Sequence, residues 1–327
     1  MSKKISAWAL LDSRIGNRNQ VLGILNNLGF NFKKLEINYN KIACLPNFII
    51  QILGGFSHIK NPKDISFTPY PTILIACGRR TAPLALNIYK KLPIKPFLVQ
   101  LMYPRFTYNK KFYDMIIVPE HDSTPRLNNL YKFIGTPNQL EMMVKKKKIT
   151  KKFGKPIILV LIGGDHGKYK INIKSVIVIL EKVFANLDRK EKVFISTSRR
   201  TSVKIIDYIQ KNYSNRSEIY DIYHPNISSR KNPITEVMIQ SKEIIVTGDS
   251  MSMVSEACSL SKPVRIFYNS EICSPKQSLF CRKLIVDGYA FNLDNSKINK
   301  KNIKVLETSK NISDKIREVF FSKHGQR

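Results

Sequence analysis

The feature that most constrains the fold is an alternation of short apolar runs with segments of helical period along the 327 residues. Strand-like runs, mostly apolar on both faces, occur in the first part at 5–11, 72–76, 97–101, 115–118 and 131–134. Runs of this kind are typical of parallel strands buried between helices. After a polar turn at 12–17, helical segments are predicted up to about Leu28 and over 82–91.

The same rhythm restarts in the second part of the chain. Strands are predicted at 157–162, 193–197, 244–247 and 263–268, and helices at 173–187, 202–211 and 250–260. Two consecutive β/α series, each of about 150 residues, fit the usual size of a domain. The sequence therefore predicts an α/β protein with two doubly wound, Rossmann-like domains that face a cleft.

The domain boundary is predicted at the most charged stretch, where seven lysines lie between 145 and 155. A charge run of this kind is usually a solvated linker. The domains are accordingly assigned to 1–148 and 149–311. A last helical segment over 312–322 could pack on either domain, including back on the first.

The net charge is +31, which favours either an anionic partner or a bias of composition towards Lys, Ile and Asn. The lysines are scattered, which favours the bias, whereas two Arg-Arg pairs stand out among the few arginines. Aromatic residues are not interleaved with arginine, so a nucleic-acid partner is not expected. Five cysteines without a C-x-x-C motif and no apolar run of membrane-span length predict a cytoplasmic protein.

The richest polar cluster is TGDSMSMVSEA over 247–257, where a strand runs through a small-residue turn into a helix. Free N–H groups at a helix start bind phosphate, and Glu256 could accept hydrogen bonds from a ribose diol. The alternative is an ordinary N-cap by Asp249 or Ser250, with Glu256 solvated.

Two further polar turns follow strands of the second domain, where ligands bind in open parallel sheets. Gly163-Gly164 would let a ligand approach the backbone closely, although a tight turn alone also explains paired glycines. Ser198-Arg199-Arg200 would offer planar guanidinium groups to a diphosphate, and the alternative is a surface basic pair.

In the first domain, His121 follows a strand between Glu120 and Asp122, an arrangement that suits a general base, although a lone histidine is more often structural. Other polar turns there contain Gly78-Arg79-Arg80, Pro104-Arg105 and the group Asp12, Gly16, Asn17, Asn19 and Gln20. The last group could equally form only a helix N-cap. No role is assigned to His58, His224 or His324.

Several catalytic signatures are absent from the sequence, namely G-x-S-x-G, H-E-x-x-H and G-x-G-x-x-G. The stretch GGDHGK over 163–168 is one residue short of a P-loop. Because D-x-D is also absent, a metal-dependent sugar transfer is disfavoured, and neither a metal site nor a cofactor is predicted.

Taken in order, these motifs resemble the elongated-mitochondria family, the mitochondrial fission proteins of plants and their bacterial homologues. The resemblance runs from Trp8 to about Val264 and is most specific at 247–257 together with Lys262-Pro263-Val264. The chain departs from the family pattern at Tyr103, where aspartate is expected, and at Ser202, where proline is expected.

The resemblance implies a GT-B fold, because the family is similar to two-Rossmann-domain glycosyltransferases. Gly163-Gly164 and Ser255-Glu256 resemble the donor turn and the ribose-binding glutamate of the lipid-linked N-acetylglucosaminyltransferase of peptidoglycan synthesis. The family resemblance also implies metal-independent transfer of a sugar from a nucleotide-diphospho-sugar to a membrane lipid or glycolipid. The protein would then bind peripherally at an anionic inner membrane face. The alternative is a non-catalytic scaffold that recruits a protein partner, as the plant protein recruits a dynamin-like protein.

On this interpretation the chain carries three groups of site residues. The expected catalytic residues are His121, Asp122 and Glu120. The expected nucleotide-sugar site comprises Gly163, Gly164, Ser198, Arg199, Arg200, Thr247, Gly248, Asp249, Ser250, Ser252, Ser255 and Glu256. The expected acceptor side comprises Asp12, Gly16, Asn17, Gln20, Gly78, Arg79, Arg80 and Arg105.

Overall fold

The computed structural model describes residues 5–60, 62–105, 110–146, 153–295 and 303–324. The chain divides into two compact units, unit 1 (Met1–Met142 with Glu307–Arg327) and unit 2 (Met143–Leu306). Each unit holds one parallel six-stranded sheet with helices between its strands, so the predicted α/β class is confirmed. The predicted boundary between 148 and 149 lies outside the described residues.

Unit 1 begins with the sheet that its apolar runs predict. Its strands are β1 (Ser6–Asp12), β2 (Asn31–Ile37), β3 (Ile73–Cys77), β4 (Phe97–Leu101), β5 (Met115–Pro119) and β6 (Leu130–Phe133). Its first helices are α1 (Ile15–Leu28), α2 (Asn47–Ile52) and α3 (Thr81–Lys91), and α4 (Leu140–Lys146) continues into unit 2. The strand order is β2-β1-β3-β4-β5-β6, with every pair parallel. Because β3 and β4 are buried along their whole length, helices must cover both faces of the sheet.

Unit 2 repeats this plan. Its strands are β7 (Ile157–Ile162), β8 (Lys192–Thr197), β9 (Ile219–Tyr223), β10 (Glu243–Thr247), β11 (Val264–Phe267) and β12 (Phe291–Asn292). Its helices are α5 (Ile173–Ala185), α6 (Val203–Tyr213), α7 (Ile234–Gln240), α8 (Met251–Cys258) and α9 (Pro275–Val286). The parallel order is β12-β11-β10-β7-β8-β9, so β7 and β10 are adjacent although they are far apart in sequence.

The last helix, α10 (Thr308–His324), belongs to unit 1. Its buried residues Ile312, Ile316 and Phe320 share a hydrophobic cluster with β1 and α1. The Ser313 hydroxyl donates to the Ile24 carbonyl oxygen at 3.0 Å, and Arg317 donates to the Asn27 carbonyl oxygen at 2.6 Å. The two ends of the chain thus build one core. No helix in the described ranges is long and apolar enough to span a membrane.

In both sheets the strands are parallel, so all their carboxyl ends lie along one edge. The polar turns singled out in the sequence follow β1, β3, β4 and β5 in unit 1 and β7, β8 and β10 in unit 2. Each set is therefore gathered at the carboxyl edge of its own sheet, where ligands bind in this class of fold.

Candidate functional site

Three polar turns of unit 2 converge on the carboxylate of Asp249, which is buried after β10. Asp249 Oδ2 accepts hydrogen bonds from the Gly164 N–H at 3.0 Å and from Arg200 Nη2 at 3.2 Å. Its Oδ1 accepts the Thr247 hydroxyl at 2.6 Å. These bonds favour the ionised carboxyl, but burial outweighs them and raises the pKa of Asp249.

Thr201 and Thr247 fasten the backbone of the same turns. The Thr247 hydroxyl oxygen accepts the Gly163 N–H at 2.8 Å, and the Thr201 hydroxyl donates to the Gly163 carbonyl oxygen at 2.5 Å. The Ser198 N–H donates to the Thr201 hydroxyl oxygen at 2.8 Å. The turns after β7, β8 and β10 therefore form one hydrogen-bonded assembly.

The three glycines of this assembly are explained by their protein neighbours. A Cβ atom on Gly163 would lie 1.9 Å from Asp249 Oδ1, and one on Gly164 would lie 2.1 Å from the Arg200 carbonyl carbon. A Cβ atom on Gly248 would lie 2.8 Å from Cys281 Sγ. Glycine is thus required at these positions by internal packing, before any ligand is considered.

No side chain caps the amino terminus of α8 with a hydrogen bond, in the part of the chain that the structure describes. Ser250 occupies the N-cap position without bonding to the helix, and both Asp249 oxygens accept bonds elsewhere. The Ser255 hydroxyl donates back to the Met251 carbonyl oxygen at 2.7 Å. The capping alternative for Asp249 and Ser250 is therefore not realised, and Ser252 stands half-buried in the first turn.

The two adjacent arginines after β8 differ in their contacts. The Arg200 guanidinium bonds to Asp249 and also donates to the Asp165 carbonyl oxygen at 3.1 Å. The Arg199 side chain is exposed and forms neither a hydrogen bond nor an ion pair within the described ranges. Arg200 thus holds the turns together, whereas Arg199 is available to an external anion.

Glu256 is the sixth residue of α8, about one and a half turns from its start, and its side chain is half-buried. Its carboxyl group has no hydrogen-bond or ion-pair partner among the residues that the structure describes. Burial alone raises the pKa of Glu256 to about 7. A desolvated carboxyl group without an internal partner marks a candidate functional position.

A pocket of about 370 Å³ opens beside this assembly. It is lined by Lys168, Tyr169, Ser270, Glu271, Cys273, Pro275 and Ser278. Cys273 Sγ lies 3.1 Å from the position of a Cβ atom on Gly248, and Gln277 Nε2 donates to the Asp249 carbonyl oxygen. The pocket therefore adjoins the turn after β10, and its volume is within the range of small-molecule sites.

Another cavity of unit 2, of about 110 Å³, lies where β8 and β10 begin, away from the polar turns. Its charged lining residues include Lys242, paired with Glu191, and Arg265, paired with Glu243 at 2.5 Å. Because these charges already neutralise one another, the carboxyl edge remains the candidate site.

In unit 1, Asp12 anchors the turn between β1 and α1. Its Oδ1 accepts the Arg14 N–H at 2.9 Å, and its Oδ2 accepts Asn17 Nδ2 at 2.8 Å. Gly78 has a φ of 93°, and a Cβ atom there would lie 2.5 Å from Asn17 Nδ2. Asp12, Asn17 and Gly78 are thus brought together, whereas Gly16 is exposed with no atom near its Cβ position.

Gln20 is separate from this group and lines a small cavity with Leu101, Met102 and Pro119. Met102, directly after β4, has a φ of 66°, a conformation that costs energy for a residue with a Cβ atom. The backbone strain therefore lies at the carboxyl edge of the sheet, the edge at which the polar turns gather.

Arg79 fixes the segment that precedes α2. Its guanidinium donates to the carbonyl oxygens of Ala43 at 2.8 Å and Leu45 at 2.6 Å. The buried Asn47 in turn donates its Nδ2 to the carbonyl oxygens of Arg79 at 2.9 Å and Arg105 at 3.1 Å. Burial lowers the pKa of Arg79, and the positive charges of Arg80 and Arg14 lower it further. Arg79 is consequently a structural clamp.

The side chains of Arg80 and Arg105 have no hydrogen bond or ion pair in the described parts of the chain. The Arg80 guanidinium lies over the Tyr39 ring, with its central carbon 5.6 Å from the ring centroid, and its Nε is buried without a partner. Arg105 is exposed. Among the arginines predicted for the acceptor side, these two remain available to an anion, and Arg14, exposed directly after β1, adds a further cation at this edge.

His121 and Asp122 lie side by side after β5, with His121 Nε2 3.9 Å from Asp122 Oδ1. The His121 side chain is 6% exposed and that of Asp122 is 17% exposed. Glu120 is exposed, and its N–H donates to the Phe133 carbonyl oxygen at 2.8 Å. Of the three predicted catalytic residues, the structure pairs His121 with Asp122.

Two histidines without a sequence-based role occupy polar clusters at the carboxyl edges. His58 Nε2 lies 2.9 Å from the Arg80 carbonyl oxygen, and His224 Nδ1 lies 3.0 Å from the Thr197 hydroxyl oxygen. Burial lowers the pKa of both histidines. Neither stands in a sequence motif, and His224 follows β9, a strand that the apolar pattern does not reveal. In the described ranges, no three His, Cys, Asp or Glu side chains converge as a metal site.

The family described as "Mitochondrial fission ELM1" matches residues 15–320, nearly the whole chain. The chain belongs to the mitochondrial fission ELM1 family. The predicted family resemblance is thereby confirmed over a longer range than the motifs cover.

Two proteins illustrate the ELM1-family relationship. An uncharacterized protein of Rickettsia prowazekii (strain Madrid E) is 30% identical, over 96% of this chain and 98% of the relative. The mitochondrial fission protein ELM1 of Arabidopsis thaliana is 26% identical, over 65% of this chain. That match spans 55% of the Arabidopsis protein, so the plant protein is much longer than the region shared.

Solved structures with the same fold are far more distant in sequence. A Listeria monocytogenes protein assigned as a UDP-N-acetylglucosamine 2-epimerase has a TM-score of 0.60 at 11% identity, covering 99% of this chain and 98% of its own. The UDP-GlcNAc 2-epimerase of Neisseria meningitidis, bound to UDP-GlcNAc, has a TM-score of 0.51 at 13% identity, with coverages of 97% and 100%. Trehalose-6-phosphate synthase OtsA has a TM-score of 0.51 at 9% identity, with both chains 99% covered. These similarities confirm the GT-B-like fold class of this ELM1-family chain.

Proposed function

We propose that this protein is a GT-B-type, metal-independent glycosyltransferase that uses a nucleotide-diphospho-sugar and a membrane lipid or glycolipid acceptor. The observation that carries the proposal is the uncapped amino terminus of α8 at the carboxyl edge of unit 2. The two candidate capping residues, Asp249 and Ser250, do not form a side-chain hydrogen bond to it. Uncapped N–H groups and the positive end of a helix dipole are suited to a phosphate.

Glu256 would bind the ribose of the donor. Its carboxyl group has no internal partner and lies on the same helix, about one and a half turns beyond the phosphate-binding end. A carboxylate accepts two hydrogen bonds from adjacent hydroxyl groups, and such charged bonds each contribute about 1.5–3 kcal/mol. A nucleotide laid along α8 would therefore be held at both of its ends.

Arg199 would bind the diphosphate together with the α8 amides and the Ser250 and Ser252 hydroxyls. Its guanidinium is exposed and unpaired, and its planar fork matches phosphate oxygens. Gly164 and Arg200, which the sequence also suggested for this role, already bond to Asp249. They would act through Asp249 by holding the turns in place.

In unit 1, His121 would deprotonate the acceptor hydroxyl, with Asp122 holding the imidazolium that forms. Arg80 and Arg105 would bind an anionic group of the acceptor, because their side chains remain unpaired. The proposal needs no metal, since the sequence lacks a D-x-D motif and the arginines and helix amides supply the positive potential.

The first nucleotide to test is uridine diphosphate, because the Neisseria neighbour is bound to UDP-GlcNAc. Binding of UDP, UDP-GlcNAc, GDP, ADP and CMP would be measured by calorimetry and by the unfolding temperature. A ligand at about 100 times its Kd stabilises the folded protein by roughly 2.7 kcal/mol, which raises Tm by several degrees. One nucleotide family is expected to bind, with the same affinity in the presence of EDTA.

Two pairs of variants locate the donor site. Glu256→Gln and Arg199→Ala should each weaken nucleotide binding about tenfold to a hundredfold, from the loss of charged hydrogen bonds. Glu236→Gln in α7 and Arg189→Ala after α5 remove the same charges elsewhere in unit 2 and should change nothing. Binding that is equal in all four variants would refute the assigned site, and the failure of every nucleotide to bind would refute the function.

The alternative is a scaffold that keeps the fold but recruits a protein partner without chemistry, and the name of the Arabidopsis relative favours it. His121→Ala separates the two functions. An enzyme should lose sugar transfer in this variant while nucleotide binding persists. A scaffold should show no turnover of any nucleotide-sugar in the wild type, and its protein partner should co-purify equally with both proteins.

A further inference from the structure

The middle of unit 1 is depleted of acidic residues. Residues 37–113 contain one acidic residue, Asp64, and eleven basic ones. These are Lys41, Lys60, Lys63, Arg79, Arg80, Lys90, Lys91, Lys95, Arg105, Lys110 and Lys111. Elsewhere in the chain acidic residues are about half as numerous as basic ones, so a general bias of composition does not explain this stretch.

Within this stretch, large aliphatic side chains are exposed at two adjacent turns. Ile52, at the end of α2, is 74% exposed, Leu53 is 51% exposed, and Ile94, just after α3, is 65% exposed. Helix α2 buries Asn47 and Ile50 in the body of the unit. The opposite, apolar end of this short helix consequently faces solvent.

Several contacts join the end of α2 to the end of α3. Asn87 donates its Nδ2 to the Gly54 carbonyl oxygen, and Lys90 lines the same small pocket as Gln51. Lys91 Nζ lies 4.6 Å from the centroid of the Phe56 ring. The exposed lysines of the α3 terminus therefore lie beside the exposed aliphatic residues of α2.

We define the basic apolar patch as Ile52, Leu53, Ile94, Lys90, Lys91 and Lys95. Lys95 belongs to it because its Nζ donates to the Lys90 carbonyl oxygen at 2.8 Å. None of the three lysines forms an ion pair with a carboxylate in the described parts of the chain. The carboxylate of Asp114, which acts electrostatically on the neighbouring Tyr89, is already paired with Lys323 at 2.9 Å.

We propose that the basic apolar patch is a docking surface for an anionic lipid bilayer. Exposed aliphatic side chains insert into the boundary between headgroups and acyl chains, while lysines beside them contact anionic headgroups. Both components are present on one surface, and their charge is complementary to such a bilayer. A protein partner fits less well, because lysine is depleted in protein–protein interfaces.

The patch is coupled to the carboxyl edge of unit 1 through the Arg79 clamp. Arg79 bonds to the backbone at 43 and 45, directly before α2, and it is followed by Arg80, whose guanidinium lies over the Tyr39 ring. A bilayer bound at the end of α2 would thus lie on the element that Arg79 holds. The inference goes beyond the proposed function and does not depend on sugar transfer.

The test is co-sedimentation of the full chain with vesicles. Wild-type protein should sediment with vesicles that contain 30% phosphatidylglycerol in phosphatidylcholine, and sedimentation with pure phosphatidylcholine should be at least tenfold weaker. Ile52→Asp/Leu53→Asp should lower the partition coefficient at least tenfold, because the aliphatic side chains no longer enter the interface. Val286→Asp, at a 75% exposed position of unit 2, is the apolar control and should bind like wild type.

The contribution of the patch lysines is tested with a pair of double variants that remove the same charge at different places. Lys90→Gln/Lys91→Gln should lower the partition coefficient about fivefold per lysine, since each lysine near an anionic surface contributes about 1 kcal/mol. Lys204→Gln/Lys211→Gln in α6 removes the same net charge and should have little effect. Equal losses in the two variants would overturn the patch in favour of non-specific attraction.

Fluorescence of an introduced tryptophan supplies a second measurement, which reports insertion into the bilayer directly. Trp8 is buried and is the only tryptophan, so Ile52→Trp adds one exposed fluorophore. On anionic vesicles its emission should shift to the blue and be quenched by nitroxide-labelled lipid, whereas that of Val286→Trp should not change. Equal behaviour of both variants would refute the proposal.

The oligomeric state gives a further test. A solution dimer that Ile52→Asp/Leu53→Asp dissociates would also refute the proposal, because a second copy would then cover the patch.

The two proposals fail separately. Ile52→Asp/Leu53→Asp should retain nucleotide binding, because the patch lies outside unit 2. Loss of vesicle binding with nucleotide binding intact supports the docking surface, whatever the outcome for sugar transfer. A wild-type protein that binds nucleotide but not anionic vesicles refutes the docking surface alone.

Discussion

At the residue scale, Glu256 makes stability depend on pH. Burial raises the pKa of its carboxyl group to about 7 in the folded state, from about 4.5 in the unfolded chain. Between these values the folded state holds a proton that the unfolded state has lost, so stability falls as pH rises from about 4.5 through 7. The full effect is of the order of 3 kcal/mol at pH 8.

We therefore expect Glu256→Gln to raise the stability of unit 2 at pH 8 and to leave it unchanged at pH 4.5. The amide copies the neutral carboxyl group and does not ionise. Denaturant unfolding of both proteins across this pH range measures the difference, with Glu236→Gln as the control. A constant difference at every pH would contradict the raised pKa. Under the proposed function the same variant weakens nucleotide binding, so Glu256 would lower the stability of unit 2 at pH 8 and contribute to ligand binding.

In the candidate donor site, the sequence predicts which residues lie in the polar turns but not which atoms they contact. The positions of Gly163, Gly164 and Asp249 were predicted from strands followed by polar turns. Their contacts were not, because Asp249 lies 85 residues from the Gly164 N–H that it binds. The sequence left two reasons open for the glycines, close ligand approach or a tight turn alone, whereas the structure shows close approach of Asp249 and Arg200. Only the packing of β7 against β10 distinguishes these reasons.

At the scale of elements, central strands were predictable and edge strands largely were not. Strands β3, β4 and β7 are buried on both faces and therefore appear as continuous apolar runs. Strands β2 and β9 lie at sheet edges, where exposed positions carry polar residues and interrupt the run. Their existence depends on the neighbouring strand that they pair with, which a local pattern does not contain.

Short helices were missed for a related reason. Helices α2 and α7 contain six and seven residues, too few for a helical period to stand out. Helix α9 is different, because it did carry a signal. Ser274, followed by Pro275 and Gln277, forms a capping box with proline in the first turn, a pattern that predicts a helix start.

Arg79 should hold the segment before α2 in place through its bonds to the carbonyl oxygens of that segment. Arg79→Lys keeps the charge but loses the fork that reaches the carbonyl oxygens of Ala43 and Leu45. Since hydrogen bonds to charged groups contribute about 1.5–3 kcal/mol, amide exchange over 43–47 should become roughly tenfold to a hundredfold faster. Hydrogen–deuterium exchange measures this. Arg105→Lys is the control, and similar exchange in both variants would contradict the clamp.

At the scale of the whole molecule, chain order and spatial order differ. The chain leaves unit 1 near Met142 and returns to it at Glu307, so the first unit is completed by the last residues. The sequence shows that α10 has an apolar face, but several surfaces could cover such a face. The choice depends on the shape of the groove that α1 and β1 offer, which is a tertiary property.

Because α10 packs in the core of unit 1, a mutation in α10 should destabilise unit 1 and leave unit 2 unaffected. Ile316→Ala deletes a fully buried side chain of α10 and should destabilise unit 1 by about 2–5 kcal/mol through lost burial and a cavity. Exchange should accelerate in β1 and β3, more than 230 residues earlier in sequence, and remain slow in β7 and β10 of unit 2. Phe321→Ala removes a larger side chain on the same helix, but at a 47% exposed position, and should cost less. If Ile316→Ala accelerated exchange in both sheets alike, the two cores would unfold as one cooperative unit, and the predicted selective effect would be wrong.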